Sequence, residues 1–448
     1  MFERQINREL RIWAKSKYRK PLVLRGARQV GKTTVVKEFS KEFENYIYLN
    51  LEKEEHKAYF QKYSEVTNLY SALLFDRDLP QSRNTLLFID EIQAFPEAVA
   101  KLRYFYEDLP EVYVISAGSM LESLFNTHFS FPVGRVEYMF LRPVSFREFL
   151  NANGETNRLE IFDTVPLPEF ASDFFFSKFH EYSIVGGMPE IVNQYISDTD
   201  LVRLKPLYNA LVTGYKDDVE KYAKDKTTAN LYRTIIEAAF YEGGTRITFE
   251  NFANTKRSYK DISEALRALE KALLLNLIYP VTSAELPMQP NIRRAPRLQI
   301  LDSGLMANQI GLQSEMFGVK DLNNIYRGIF IEHLVGQELA AFQFHEFNPL
   351  NFWVREKKTS GAEVDFVVNY KGKVIPIEVK SGAVGKLRSL HQFMLEAPHK
   401  IAVRLYAGEI RVDEITAPEG NTYQLLSLPY FLASKIEEYL DWMIANYS

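Results

Sequence analysis

Cysteine is absent from the 448 residues, which excludes disulfides and thiolate zinc sites and leaves oxygen or histidine ligands for any metal. That absence suits a reducing compartment, and a cytoplasmic location is the expectation. Long apolar runs are lacking as well: no stretch approaches the roughly 18 residues of a membrane-spanning helix. The opening MFERQINREL is charged throughout and has no apolar segment of the secretory type. No membrane partner is therefore expected. Charge of one sign is in short supply too. The net charge of -4 argues against a surface that grips nucleic acid everywhere. Charge can still be segregated, and residues 351–403 hold nine Lys and Arg against five Asp and Glu.

What is present is ordinary globular material, 46% hydrophobic and 25% charged, in a length that suits about three domains. The stretch PLVLRGARQVGKTTVVKEF reads as a buried strand, a glycine loop and a helix. Its loop matches G-x-x-x-x-G-K-[ST] at Gly26, Gly31, Lys32 and Thr33. In that context the backbone of Gly26, Ala27, Arg28, Gln29, Val30, Gly31, Lys32, Thr33 and Thr34 would cradle phosphate oxygens. Lys32 would reach the β- and γ-phosphates, and the Thr33 hydroxyl would take one position on Mg²⁺. ATP and Mg²⁺ are the expected cofactors.

Independent support comes from TLLFIDEIQ, a strand closing on Asp90 and Glu91. Asp90 would order the Mg²⁺ shell and Glu91 would polarise the attacking water. Further apolar runs, NYIYLNL, VYVISAGS and EYMFLRP, bring the strands to five with helical patterns between several of them. This α/β alternation predicts a parallel sheet with ligands at the strand carboxyl ends. Ser119, with Ser116 as its rival, is a candidate γ-phosphate sensor. Arg135 is a candidate transition-state cation, acting in cis or in trans, with a plain surface arginine as the alternative.

Residues 165–222 are helical and aromatic-rich, interrupted by IVGGMPEIV, where Gly186 and Gly187 break a helix and Pro189 suits the start of the next. This is either a helix-helix corner or a lid element that brings Pro189 to the nucleotide. Residues 228–312 resemble a winged helix. Helices are expected at LYRTIIEAAF, at ITFENFAN and along SYKDISEALRALEKALLLNLI, followed by β-type YPVTS and RLQILDSGL. The turn NIRRAPR is basic, but the third helix is mixed in charge, which favours interdomain packing over base reading.

Toward the carboxyl end, AEVDFVVNY and KVIPIEVK read as two strands joined by a Lys-Gly turn. They carry Asp365 on the first, and Glu378 and Lys380 on one face of the second. Together these could hold one Mg²⁺ and one scissile phosphate; an ordinary salt bridge is the competing explanation. Glu332, on the amphipathic pattern IFIEHLVGQELAAF, is a fourth carboxylate for the same set.

On GARQVGKTT, LLFIDEIQ, AGSM, GRVEYMFLRPVSFREFL, GGMPEIV, LDSGL, GIFIEHLVGQEL and EVDFVVNYKGKVIPIEVKSG, the chain resembles prokaryotic AAA+ ATPases of the STAND and archaeal-ATPase branch. These carry a restriction-endonuclease-like, PD-(D/E)XK-type domain at the carboxyl end. The resemblance implies an AAA+ core over 1–160, a helical lid over 161–225, a winged-helix domain over 226–312 and an α/β nuclease-like domain over 313–448. It also implies a G-x-P element, Gly187 and Pro189, touching the nucleotide. Catalytic roles fall on Glu91 and Arg135 in the ATPase and on Glu332, Asp365, Glu378 and Lys380 in the nuclease-like domain. Thr33, Asp90, Asp365 and Glu378 are the metal ligands. Val364 stands where the family often has proline before the acid. The expected function is ATP hydrolysis coupled to binding and cutting of nucleic acid, DNA rather than RNA, by a chain that can form homo-oligomers. The alternative is a nucleotide-dependent switch whose carboxyl-terminal domain only docks a partner.

Overall fold

Five strands carry the first third of the chain: β1 (Leu22–Arg25), β2 (Asn45–Asn50), β3 (Thr85–Asp90), β4 (Tyr113–Gly118) and β5 (Glu137–Phe140). They lie in the order β2-β3-β4-β1-β5, every neighbouring pair parallel. In this computed structural model, residues 2–118, 132, 134–220, 223–313, 327–345, 350–356, 361–382 and 387–447 are described. Successive strand residues face opposite ways. Val23, Ile47, Leu49, Leu87 and Ile89 join one core with helices Val66–Asp76 and Pro96–Asp108. Leu22, Leu24, Leu86, Phe88 and Ile115 join another with helices Ile6–Lys15 and Lys32–Phe39. Burial on both faces explains why β3 reads as an unbroken apolar run. The parallel order also places the residues after β1 and those ending β3 along one carboxyl edge.

Helices then follow. Phe146–Ala152 starts at a capping box formed by Ser145 and Glu148. Ser172–Val185, Pro189–Asp198 and Lys205–Glu220 come next. The middle region holds helices Lys226–Glu242 and Tyr259–Lys271, then β6 (Leu275–Ile278), β7 (Pro280–Val281) and β8 (Arg297–Ile300). The helix expected to run from Ser258 to Ile278 stops at Lys271. Leu273 adopts φ +61, which no helix propagates through, and the apolar LNLI that follows pairs as β6 with β8. The short helix expected over ITFENFAN is reduced to a single 3₁₀ turn, Phe252–Asn254.

The last third forms a seven-stranded sheet from β9 (Asn351–Val354), β10 (Glu363–Tyr370), β11 (Lys373–Val379), β12 (Ile401–Tyr406), β13 (Arg411–Thr416) and β14 (Thr422–Pro429), in the order β13-β14-β12-β11-β10-β9-β7. Its edge strand β7 runs parallel to β9, so a segment of the middle region completes the carboxyl-terminal sheet across residue 312. Trp353, Val364, Val367, Leu390 and Phe393 pack one face beneath helix Arg388–Glu396. Phe352, Phe366, Ile375 and Ile377 join a core with Phe330, Ile331, Leu334 and Val335 of helix Arg327–Ala341. That core continues into the helices that follow β5, where Phe431 meets Phe146, Phe175 and Phe176 ring to ring. Among the described residues, no helix is long and apolar enough to cross a membrane.

Candidate functional site

At the carboxyl edge of the first sheet the loop after β1 doubles back into helix Lys32–Phe39. Gln29 at φ 64 and Gly31 at φ 97 make the turn, the second in a region that glycine enters at little cost. Lys32 is buried and folded onto its own loop, donating to the carbonyls of Gly26 at 2.8 Å and Ala27 at 3.0 Å. Burial pulls its ammonium down to about 8 despite the nearby Glu91 and Asp90 carboxylates. The Thr33 hydroxyl donates to Asp90 Oδ2 at 2.8 Å, and the Tyr48 hydroxyl reaches the same oxygen at 3.2 Å. Thr33 and Asp90 thus present adjacent hard oxygen donors of the kind Mg²⁺ takes, and here the donor set fits the ion. Glu91 sits at φ 51, where the backbone turns sharply out of β3, and accepts from the Gln93 amide at 2.5 Å. Burial raises its carboxyl above the usual range, with Gln93 and Lys32 opposing.

Three residues that sequence reasoning missed, Arg4, Tyr215 and Asp218, brace this loop together with the Arg28 side chain. Arg4 donates to Val30 O at 3.2 Å and to Arg142 O at 2.8 Å, while pairing with Glu148 at 3.0 Å. Arg28 pairs with Asp218 of helix Lys205–Glu220 at 2.5 Å, and the Tyr215 hydroxyl of that helix donates to Arg28 O at 3.2 Å. Only the helical register of Tyr215 and Asp218 hinted at a shared face. Pro189 comes to the same place: a Cβ on Gly31 would lie 3.6 Å from Pro189 Cγ. Gly186 turns the chain at φ 74. Gly187 donates its N–H to Asp302 Oδ2 at 2.5 Å and accepts from Val144 N at 2.7 Å.

The structure does not bring Arg135 to the loop within its own chain. Arg135 lies two residues before β5, whose first residue Glu137 pairs with Leu22 at the amino end of β1, and its guanidinium is held by Glu107 at 2.8 Å. The phosphate loop begins beyond the opposite end of that strand. Ser116 is buried and donates to Leu22 O at 3.3 Å, so its hydroxyl serves the sheet. Ser119 falls outside the described residues.

In the last third Glu332, Asp365, Glu378 and Lys380 do converge, around a residue to which the sequence reading gives no site role. Arg297, where the basic turn NIRRAPR meets the β-type RLQILDSGL, is buried in β8. Its guanidinium lies 3.4 Å from Glu332 Oε2, 2.7 Å from Glu363 Oε1 and 3.7 Å from Asp365 Oδ1, and it donates to Asp365 O at 3.1 Å. Asp365 Oδ2 accepts from Val379 N at 2.8 Å, and Lys380 forms an ion pair with Glu378. The register shift in β10 between Val364 and Val367 brackets Asp365. Burial and mutual repulsion push the Glu332 and Glu378 carboxyls up, against Arg297 and Lys380. Asp365 is raised by burial too. The oxygen chemistry would suit Mg²⁺, yet among the described residues no group of three or more Asp, Glu or His side chains is placed to hold a metal. As arranged, the cluster does not fit one, and the cation it surrounds is Arg297.

A family model described as an AAA domain matches residues 18–150. Two models described as domains of unknown function, DUF8612 and DUF4143, match residues 176–316 and 327–429. No curated protein matches the chain. Among solved structures, a Walker-type ATPase of Pyrococcus abyssi is 17% identical with a TM-score of 0.45, over 69% of this chain and 96% of its own. A RuvB variant of Thermotoga maritima is 16% identical with a TM-score of 0.29, over 62% of this chain and 90% of its own. PCH-2 of C. elegans is 12% identical with a TM-score of 0.23, over 40% and 59%. With the glycine loop, the parallel sheet and the acidic end of β3 in place, the first third of the chain is a P-loop domain of the AAA type.

Proposed function

We propose that this chain binds and hydrolyses ATP and that its carboxyl-terminal domain is a nuclease-like module that engages nucleic acid, DNA in preference to RNA. The observation that carries the ATPase reading is the Thr33–Asp90 contact at 2.8 Å, on the same edge as Lys32 and Glu91. Loop N–H groups receive the phosphates, and Lys32 exchanges its two carbonyl partners for phosphate oxygens, whose negative charge favours the ammonium form that burial disfavours. Mg²⁺, held by Thr33 and Asp90, supplies charge compensation on the phosphates when bound. Glu91, its basicity raised by burial, takes a proton from the attacking water. Gln93 orients that carboxylate through its amide. Pro189 and the Arg28–Asp218 pair give the lid a direct contact with the loop that holds the nucleotide.

The nucleic-acid reading rests on Glu332, Asp365, Glu378 and Lys380 meeting in one place, on the resemblance of that set to nuclease centres, and on the local excess of basic residues. The second reading, a nucleotide-dependent switch that docks a partner, is favoured by one observation: Arg297 already occupies the acids. Incubation with single- and double-stranded DNA and RNA, with Mg²⁺ or Mn²⁺ and with or without ATP, tests the pair. Divalent-dependent cutting that Asp365→Ala abolishes supports the nuclease, whereas ATP turnover with no cutting of any substrate supports the switch.

A further inference from the structure

We propose that Arg297 is a built-in cation that closes the carboxylate cluster of the carboxyl-terminal domain to divalent metal, so that the cluster becomes a metal site only when β8 withdraws.

Arg297 belongs to β8, which pairs with β6 in a different sheet, yet its guanidinium is spent entirely on the carboxyl-terminal domain. It touches Glu332 from a helix, and Glu363 and Asp365 from β10. It also lies over the rings of Phe352 at 5.1 Å and Phe366 at 5.8 Å. A structural arginine needs one good carboxylate, and Glu363 at 2.7 Å supplies it. Glu332 at 3.4 Å and Asp365 at 3.7 Å face the same cation at distances too long for strong hydrogen bonds. Arg246 also pairs with Glu363 at 3.1 Å, so the buried Asp365 and the half-buried Glu332 are left to share one monovalent group of fixed planar shape at long range.

An independent observation points the same way. Glu378 is 5% exposed, and its Oε2 has no hydrogen-bond partner among the described residues, although Lys380 holds the other oxygen. A buried carboxylate oxygen left unpaired is costly, and Arg297 makes no contact with it. An oxygen-seeking divalent ion would draw on that atom together with Asp365 and Glu332, and so must compete with the guanidinium for the last two.

The segment holding β8 is tied both to helix Arg327–Ala341 and to the turn before Pro189. Gln299 donates to His333 O at 2.8 Å, and Ile300 N donates to His333 Nε2 at 3.0 Å. Two residues further on, Asp302 holds Gly187, next to the Pro189 that lies against the phosphate loop. Movement of the lid would thus pull on the strand that carries the plug. This link to ATP rests on the proposed function; the plug itself does not.

The test is divalent binding, read apart from cleavage. Nucleotide-free protein is titrated with CaCl₂ in a calorimeter and melted with and without CaCl₂, for the parent, Arg297→Met and Arg297→Lys. We expect the parent to bind weakly with an unchanged Tm. Arg297→Met should melt lower without calcium, recover with it, and bind at least about tenfold tighter, a change of ~1.4 kcal/mol. Adding Asp365→Asn should remove that gain, which separates this cluster from Thr33 and Asp90. If Arg297→Met fails to fold, Arg297→Lys, whose single ammonium cannot span the acids, carries the same comparison. Equal calcium affinity in the parent and the folded variant overturns the proposal, as does divalent-dependent cutting by a parent whose calcium affinity Arg297→Met does not improve. A variant that gains calcium yet never cuts leaves the plug standing and removes the nuclease reading.

Discussion

Asp302 accepts the N–H of Gly187 at 2.5 Å across 115 residues of sequence. Its second oxygen caps helix Ser303–Gln309 through Leu305 N at 2.9 Å. One buried carboxylate thus fastens the turn before Pro189 to the segment leaving β8. Asp302→Ala would strip the acceptor from two buried N–H groups, a loss of about 2–4 kcal/mol. Asp302→Asn, which keeps one acceptor, should lose less. Urea unfolding ranks the three proteins. If the lid is positioned as proposed, the alanine variant also shows a raised KM for ATP under conditions where it remains folded.

Lys32→Ala should lose ATP affinity, because the phosphate charge goes uncompensated. Glu91→Gln should bind ATP normally while turning over roughly two orders of magnitude or more slower, as expected when a general base is removed. Fluorescent-nucleotide binding and phosphate release measure the two effects separately. Equal turnover in Glu91→Gln and the parent would withdraw the role given to Glu91.

Arg135 sits at the amino end of the sheet, paired with Glu107, so Arg135→Ala should leave the hydrolysis rate of the dilute chain unchanged. The pair is exposed, and its loss should scarcely move the melting temperature. If turnover of the parent rises with protein concentration and that of Arg135→Ala does not, the arginine acts on a neighbouring copy. A rate that falls equally at every dilution would contradict the placement.

Glu338 is wholly buried at the end of helix Arg327–Ala341, accepting from Phe146 N at 3.0 Å beside the Tyr182 hydroxyl at 2.9 Å. Burial pushes its carboxyl up to about 7, against those hydrogen bonds. The folded state therefore keeps a proton that the unfolded chain releases near its ordinary value. Stability from this group is full below that ordinary value and is lost as pH rises to about 7. Over that window it amounts to at most about 3 kcal/mol. Glu338→Gln should flatten the slope of stability against pH there, whatever constant offset the amide introduces. An unchanged slope in denaturation series at several pH values would show that another group titrates.

The ATP-binding end was legible because its chemistry is local. Gly26 to Thr33 is one contiguous loop, and Asp90 and Glu91 end one strand, so spacing alone names the partners. Asp365, Glu378 and Lys380 were legible for the same reason, two strands and a short turn. Arg297 was not. It stands where the basic turn NIRRAPR meets the β-type RLQILDSGL, so its strand is legible, but the acids its guanidinium reaches lie more than 30 residues away on another sheet and helix. Asp302 and Glu338 were equally silent, since each acts on a backbone N–H more than 100 residues away. Helix length failed at Leu273, where packing of LNLI into a sheet overrode the intrinsic preference of leucine for helix.

The pairing of β7 with β9 means that the carboxyl-terminal domain cannot be cut out in chain order. A fragment beginning after residue 312 leaves Pro280 and Val281 behind and bares the N–H and C=O row of β9, an edge prone to pairing with other chains. The same fragment loses Arg297 and leaves Glu332, Glu363 and Asp365 without their shared counter-charge. Modular swapping of this domain between proteins would have to carry residues 280–300 along with it. Inheritance of residues 280–448 as one block follows from a two-residue strand.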